Sequence, residues 1–559
     1  MTDAKAPICA QRLIVTGYRG YLRRNYLVQI LNDDVAKLRA DGSPEEQLAF
    51  HRSRIEQWLT DGVLPREIFF EMLKAWIGNG LLSSGPDSHP CQCNRPVPVP
   101  PVSFFVDVGI TFAGFGKLEC HTQLLDIFRK KAPAYAEGAY WRASARLGDA
   151  GPSAPSHWDA RYLEDGIHVV LVVHALKYYF GEAGFADFES AILEPLDPAL
   201  DPTTYKPMSR PWIEQSFILE DPKKIHFDML DGLSAPRFEG IDTQDRVKAE
   251  AAFNVHQPGE LLLGHKRNDK SNPWRLPGAY AEETTPTPLS ATPAREAYGD
   301  FFKNGSFGAL RKMKQNVPEF NRFLKKEAEK IQNSQTLAYT VGWLKAKMLG
   351  RWPNGEPVGE LIETTDNFER NPAQQARIVA KSRYNAGLKD DSAFPDNKFS
   401  FKQDLEGFKC PYGAHIRRMN PRDDPAVPLL RRPLLRRGVP YGEQFEDGKN
   451  DTSVRGLLGL FFCANLEEQF EHVLGNWANN NPMGMPFKQH GKDPLIGNQD
   501  AVGNGFEIPR RTGGPLVLEG LHTFVETRGT SYAFFPSVPS LLKIARGRIT
   551  TPALFLENT

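Results

Sequence analysis

Cys410-Pro-Tyr-Gly-Ala-His415-Ile-Arg-Arg-Met-Asn-Pro421-Arg422 sets one histidine between a turn-forming Pro/Gly pair and a cluster of arginines. A neutral imidazole nitrogen in that setting suits a haem-iron ligand, and the neighbouring arginines suit the negatively charged propionates of a porphyrin. On residue type alone the alternative stands beside it: a lone histidine is more often a structural residue satisfied by hydrogen bonds. His157, His168, His174, His226, His265 and His472 offer the same chemistry. Of these, His168 and His174 sit on a nearly all-apolar run, where a buried, hydrogen-bonded role is expected.

Outward from this stretch the chain alternates between strand-like and helix-like patterns. Leu13-Ile-Val-Thr-Gly-Tyr, Tyr26-Leu-Val-Gln-Ile30, the run from Val102 to Phe112, Gly166 to Ala175 and Gly456 to Phe462 read as strands. The Gly166–Ala175 run is apolar at almost every position, so it is expected in the centre of a sheet with both faces covered. Ser334 to Leu349 spaces Leu337, Val341, Leu344 and Met348 for one face of a helix, and Leu466 to Leu474 also reads as helical. Pro86–Pro101, Arg275–Pro293, Lys389–Asp404 and Gly475–Phe506 lack periodicity and read as loops. Strands and helices without regular β-α alternation predict an α+β fold.

At 559 residues the chain exceeds the size at which one hydrophobic core keeps growing, so two domains are expected. Lys+Arg and Asp+Glu each total 68, which leaves no net field to attract nucleic acid or an anionic membrane. Six cysteines in so long a chain do not form a disulfide framework, and free thiols in a reducing compartment are expected. Cys91-Gln-Cys93 is one residue short of a Cys-x-x-Cys half-site and has no second half nearby. The amino terminus shows no signal-like apolar run, and no stretch reaches membrane-spanning length, so a cytoplasmic protein is expected.

The His415 stretch resembles the proximal-histidine motif of the dye-decolorizing peroxidases, a haem peroxidase family. Ile225-His-Phe-Asp228-Met-Leu-Asp231-Gly232 resembles the family's Gly-x-x-Asp-Gly segment, which carries the distal acid. Further matches follow in the same order. They run from Leu147-Gly-Asp149 to Trp158, Pro258 to Gly264, Asn304 to Phe320, Gly350 to Trp352, Arg436 to Gly442, and Arg528 to Ser537. The resemblance implies two ferredoxin-like modules with antiparallel sheets and peripheral helices. Residues 1–245 would form the amino-terminal module carrying the distal aspartate, and residues 246–559 the carboxy-terminal module holding haem b.

The implied activity is reduction of hydrogen peroxide with oxidation of phenolic or dye-like donors through a ferryl intermediate. A divergent haem carrier or sensor and a peroxide-dependent haem oxygenase are the alternatives. No nucleic-acid or membrane partner is expected, and a homo-oligomer is compatible with the family.

By the same resemblance His415 is the iron ligand, Asp231 relays the proton, and Arg436 is the distal cation at the cofactor. Arg437 is disfavoured because adjacent side chains in an extended segment face opposite ways. His226 ranks below Asp231 as proton carrier. Two departures stand out. Asp228 replaces the first glycine of the distal motif, where a residue free to take positive φ is lost. Asn465 stands where many relatives have an aspartate that accepts the proximal histidine's second N–H, with Asp423 or Asp424 as substitutes.

Overall fold

The computed structural model describes residues 9–15, 21–31, 43–83, 103–163, 166–176, 181–194, 212–217, 219, 224–274, 298–331, 337–358, 397, 399–425, 431–447, 452–480, 491–499, 505–511 and 513–551. The proline-rich stretch 86–101, the Cys91/Cys93 pair and the 275–293 loop lie outside them.

Ten strands form one sheet: β1 (Tyr21–Leu31), β2 (Val63–Pro65), β3 (Phe104–Ile110), β4 (Val169–Leu176), β5 (Ile213–Gln215), β6 (Ser306–Gln315), β7 (Leu435–Arg436), β8 (Val439–Tyr441), β9 (Gly456–Cys463) and β10 (Val525–Phe535). Their order is β7-β9-β6-β10-β3-β4-β1-β2, with β8 also on β9 and β5 also on β1. Only β1 and β2 run parallel. Helices flank the sheet, among them Pro44–Asp61, Arg66–Gly78, Val317–Lys330, Leu337–Leu349 and Val538–Ala545. The fold is α+β, as the mixed periodicities predict.

Composition explains the middle of this sheet. Val169 to Val173 are all fully buried, so β4 is covered on both faces, as expected of an uninterrupted apolar run. Strands from the first half of the sequence meet those from the second at β3 and β10, through the pairing of Ile110 with Phe534. Phe535 fills that junction. A methyl group built on Gly109 or on Gly308 would stand 2.6 Å from its ring, so the close approach requires glycine at both positions.

Two expectations need correction. Residues 12–15 form a helical turn instead of a strand, with Leu13 and Ile14 buried. The turn's backbone groups are satisfied by side chains: Leu13 N donates to Asp107 Oδ1 at 3.1 Å. Arg437 donates to the carbonyls of Leu13 and Ile14 at 2.9 and 3.1 Å. The helix Leu337–Leu349 forms, but Leu337 is exposed and the buried side includes Trp343, Leu344, Lys347 and Met348. Lys347 is tolerated there because its ammonium donates to the carbonyls of Phe408 and Lys409 at 2.8 and 2.9 Å.

The thiol expectation holds for Cys120, Cys410 and Cys463, which are free and buried. It fails for Cys9, which is disulfide-bonded. Among the described residues no helix is long and apolar enough to cross a membrane.

Candidate functional site

A cavity of about 710 Å³ lies where the second half of the sheet meets the segment carrying His415. Alternate residues of β6 (Arg311, Met313, Gln315) and of β9 (Leu457, Gly459, Phe461) line it, as the two-residue repeat of a strand requires. His415, Ile416 and Met419 contribute from the helix His415–Met419, and Val473, Leu474 and Trp477 from the π-type helix Leu466–Ala478.

The segment before His415 is held by buried charge. Arg417 has no exposed side-chain surface. It donates to Asp424 Oδ2 at 2.6 Å, to Asp404 Oδ2 at 3.1 Å and to the Cys410 carbonyl at 2.7 Å, and its guanidinium lies over the Tyr412 ring at 4.0 Å. Asp404 in turn accepts the backbone N–H groups of Lys409 and Cys410. Gly350, at φ 101°, ends the helix Leu337–Leu349 and leaves room for Ile416 and Cys410, whose atoms lie 3.2 and 3.3 Å from the methyl it lacks.

Arg418 donates to the carbonyls of Trp477, Asn480 and Gly491. Arg422 donates to the Asn397 and Phe399 carbonyls and stacks 3.7 Å from the Phe399 ring. Burial lowers both guanidinium pKa values, to about 10 and about 9. The arginine cluster is therefore mainly the scaffold of the motif. Of the three, Arg417 and Arg418 do not line the cavity, whereas Arg422 does. Arg311, Arg351, Lys402, Arg431, Arg432 and Arg436 also line the cavity.

His415 Nδ1 lies 2.9 Å from Asp493 Oδ2, 78 residues away in sequence. Asp493 is fully buried, and its Oδ1 accepts the N–H groups of Leu495 and Ile496 at 2.9 Å each. Burial opposes its ionisation. His415, Arg418 and the Ile496 N–H outweigh that and hold the carboxyl below its ordinary range. An ionised carboxylate can only accept, so Nδ1 carries the proton and the lone pair of His415 is on Nε2.

Asn465 has a different task. It is the N-cap of the helix Leu466–Ala478, and its Oδ1 accepts Glu468 N at 2.9 Å. Asp423 accepts from Ser400 and Phe401, and Asp424 pairs with Arg417. The partner of His415 is Asp493, and the assignment to Asn465 is withdrawn. If haem binds on His415, as the resemblance implies, Asp493→Asn should raise its reduction potential, because a neutral amide removes negative charge beside that imidazole. Asn465→Asp should leave the potential where it is. Redox titration of the two variants checks both.

Asp231 and Arg436 also line the cavity. Asp231 follows the hairpin Lys224–Ile225/Met229–Leu230, whose turn is closed by Asp228 N donating to Ile225 O at 2.9 Å. Asp228 takes φ 59°, so the departure from glycine does not abolish the left-handed turn. Aspartate tolerates this conformation better than most side chains, and Lys224 pairs with its carboxylate at 2.6 Å. Asp231 Oδ2 lies 3.7 Å from where a Gly438 methyl would stand, so the carboxylate faces the segment that begins at Arg436. Arg437 is turned away toward Leu13 and Ile14.

The other histidines separate from the site. His226 is buried with Nε2 2.8 Å from the Tyr441 carbonyl and does not line the cavity. His168 Nδ1 accepts Ile30 N, and burial holds His174 well below its ordinary pKa. His157, His265 and His472 contact Gly151 O, Asn304 Oδ1 and Asn476 Nδ2. His256, which the sequence reading did not weigh, does line the cavity. Its Nδ1 accepts from Asn268 Nδ2 at 3.2 Å, and burial lowers its pKa to about 3. In that neutral ring the proton sits on Nε2, so it offers the cavity a donor and no lone pair.

No family model matches the sequence. Peroxidase 2 of Mycetinis scorodonius is 28% identical over 425 residues, 73% of this chain and 70% of that protein. Dye-decolorizing peroxidase msp1 of the same organism is 28% identical over 338 residues, and the chain spans 56% of its length. A fungal DyP-type peroxidase structure from Auricularia auricula-judae superposes with a TM-score of 0.64 at 19% identity, over 99% of this chain and 100% of that one. A dye-decolorizing peroxidase in complex with 2,6-dimethoxyphenol gives 0.64 at 22% identity, over 96% and 99%. In sequence and in fold, then, the chain is similar to dye-decolorizing peroxidases.

Proposed function

We propose that the protein is a haem b peroxidase that reduces hydrogen peroxide and oxidises phenolic or dye-like donors. One observation carries the reading: His415, with its lone pair fixed on Nε2 by Asp493, lines the same cavity as Asp231 and Arg436. The fit to haem rests on the donor set and the shape. The cavity has a volume within the ~300–1,000 Å³ usual for ligand sites, and its walls are largely apolar. One histidine offers a metal ligand, and Arg431 and Lys402 are exposed cations suited to carboxylates.

Haem bound there would supply the iron that exchanges electrons with peroxide and donor. His415 would hold the iron, and Asp493 would orient the imidazole and make it more electron-rich. Asp231, ionised, would take a proton from one peroxide oxygen and return it to the other as water leaves. Arg436, charged at every working pH, would stabilise the negative charge that builds on the departing oxygen. A division of the chain near residue 245 agrees with this arrangement. The earlier part supplies Asp231 and β1–β5, and the later part supplies His415, Arg436 and β6–β10.

The test is turnover. Haem-loaded protein given hydrogen peroxide and 2,6-dimethoxyphenol, the compound bound to one structural neighbour, should consume peroxide and oxidise the phenol. Stable haem binding without peroxide consumption would leave a carrier. Peroxide oxygen inserted into the product would instead indicate an oxygenase.

A further inference from the structure

Three methionines line the cavity, Met229, Met313 and Met419, and a thioether beside a peroxide site is itself a reductant. Met419 belongs to the helix that carries His415, whereas Met313 sits on the sheet among the neighbours of both Asp231 and Arg436. Its cross-strand partner is Leu457, whose side chain lies 3.6 Å from the position a Gly438 methyl would take, and Asp231 Oδ2 lies 3.7 Å from that same position. On its other side, Met313 Cε lies 3.1 Å from the methyl that Gly459 lacks, and Phe461, the strand partner of Arg436, lies 2.4 Å from it. Gly459 therefore leaves open the space into which the thioether projects.

We infer that Met313 is the protein's own oxidation site, converted to the sulfoxide by hydrogen peroxide when no donor reaches the cavity. The inference rests on the peroxidase reading above. With bound haem mediating the transfer, an S–O bond would form to one peroxide oxygen as the O–O bond breaks, and the sulfur would give up two electrons. The second oxygen keeps both hydrogens of the peroxide and leaves as water. The product is a polar, chiral side chain in a wall that was apolar, so accumulated sulfoxide would degrade the site. A phenolic donor would protect Met313 by consuming the same oxidising equivalents.

The experiment is a peptide mass map of haem-loaded protein treated with hydrogen peroxide, with and without 2,6-dimethoxyphenol, beside the haem-free protein. Expected is a gain of one oxygen at Met313, several-fold above Met229 and Met419, dependent on haem and suppressed by the phenol. Met313→Leu, which keeps the volume, should lengthen the peroxide-exposed lifetime of the loaded enzyme. Peroxide consumed without the phenol and with Met313 unmodified would overturn the inference and leave the peroxidase reading standing. Equal oxidation of Met313 without haem would overturn it too, as chance exposure. If loaded protein neither consumes peroxide nor gains oxygen at Met313, both fall.

Discussion

Asp231→Asn should slow the reaction of the haem-loaded protein with hydrogen peroxide by about 10²–10⁴-fold, the usual worth of a positioned general base. Haem binding should survive, since the carboxylate lines the cavity. Arg436→Leu should cost about 10²–10³-fold, as loss of one preorganised donor to a developing anion does. The two groups would act on one departing oxygen, so the double variant should lose less than the product of the single losses. Stopped-flow measurement of the peroxide step across the four proteins gives all the numbers. An unchanged rate in both single variants would remove the distal assignment.

Arg417→Met carries the largest expected cost in stability. It removes the guanidinium from the carboxylates of Asp404 and Asp424, whose side chains are 5% and 0% exposed, and from the Cys410 carbonyl. Breaking a buried pair from one side costs about 3–5 kcal/mol because the remaining charge stays buried and unpaired. The variant should therefore unfold at markedly lower denaturant concentration and bind haem weakly, since the same guanidinium braces the turn before His415. Arg417→Lys keeps the charge without the planar fork and should fall between the two. A loss below ~1 kcal/mol, typical of an exposed ion pair, would mean that the network contributes no more than a surface pair does.

Local pattern carried much of the fold. The apolar runs that became β4 and β9 and the periodic stretch that became Leu337–Leu349 could be read because burial imposes its repeat on neighbouring residues. His415 stood out because its turn and its arginines are contiguous with it. Asp493 could not be found the same way. It sits in an Asn/Gly/Pro-rich stretch without periodicity, and its link to His415 exists only after the chain has folded across 78 positions.

The arginines illustrate the complementary failure. Composition marks them as cations, yet only packing separates Arg417 and Arg418, buried on carboxylates and carbonyls, from the exposed Arg436. Asp228 shows that a motif position can keep its backbone conformation while changing its residue. Leu13–Ile14 shows the reverse, where a strand-like run folds as a helical turn because side chains from distant segments satisfy its backbone.

The central claim is that His415, and not the other cavity histidine, is the haem ligand. Haem titration of His415→Ala beside His256→Ala, with the axial ligand read from the absorption and resonance Raman spectra, tests it most directly. His256→Ala should bind haem with a histidine ligand as the parent protein does, and His415→Ala should lose stoichiometric haem or its histidine coordination. Unaltered haem content and an unaltered histidine-ligated spectrum in His415→Ala would contradict it.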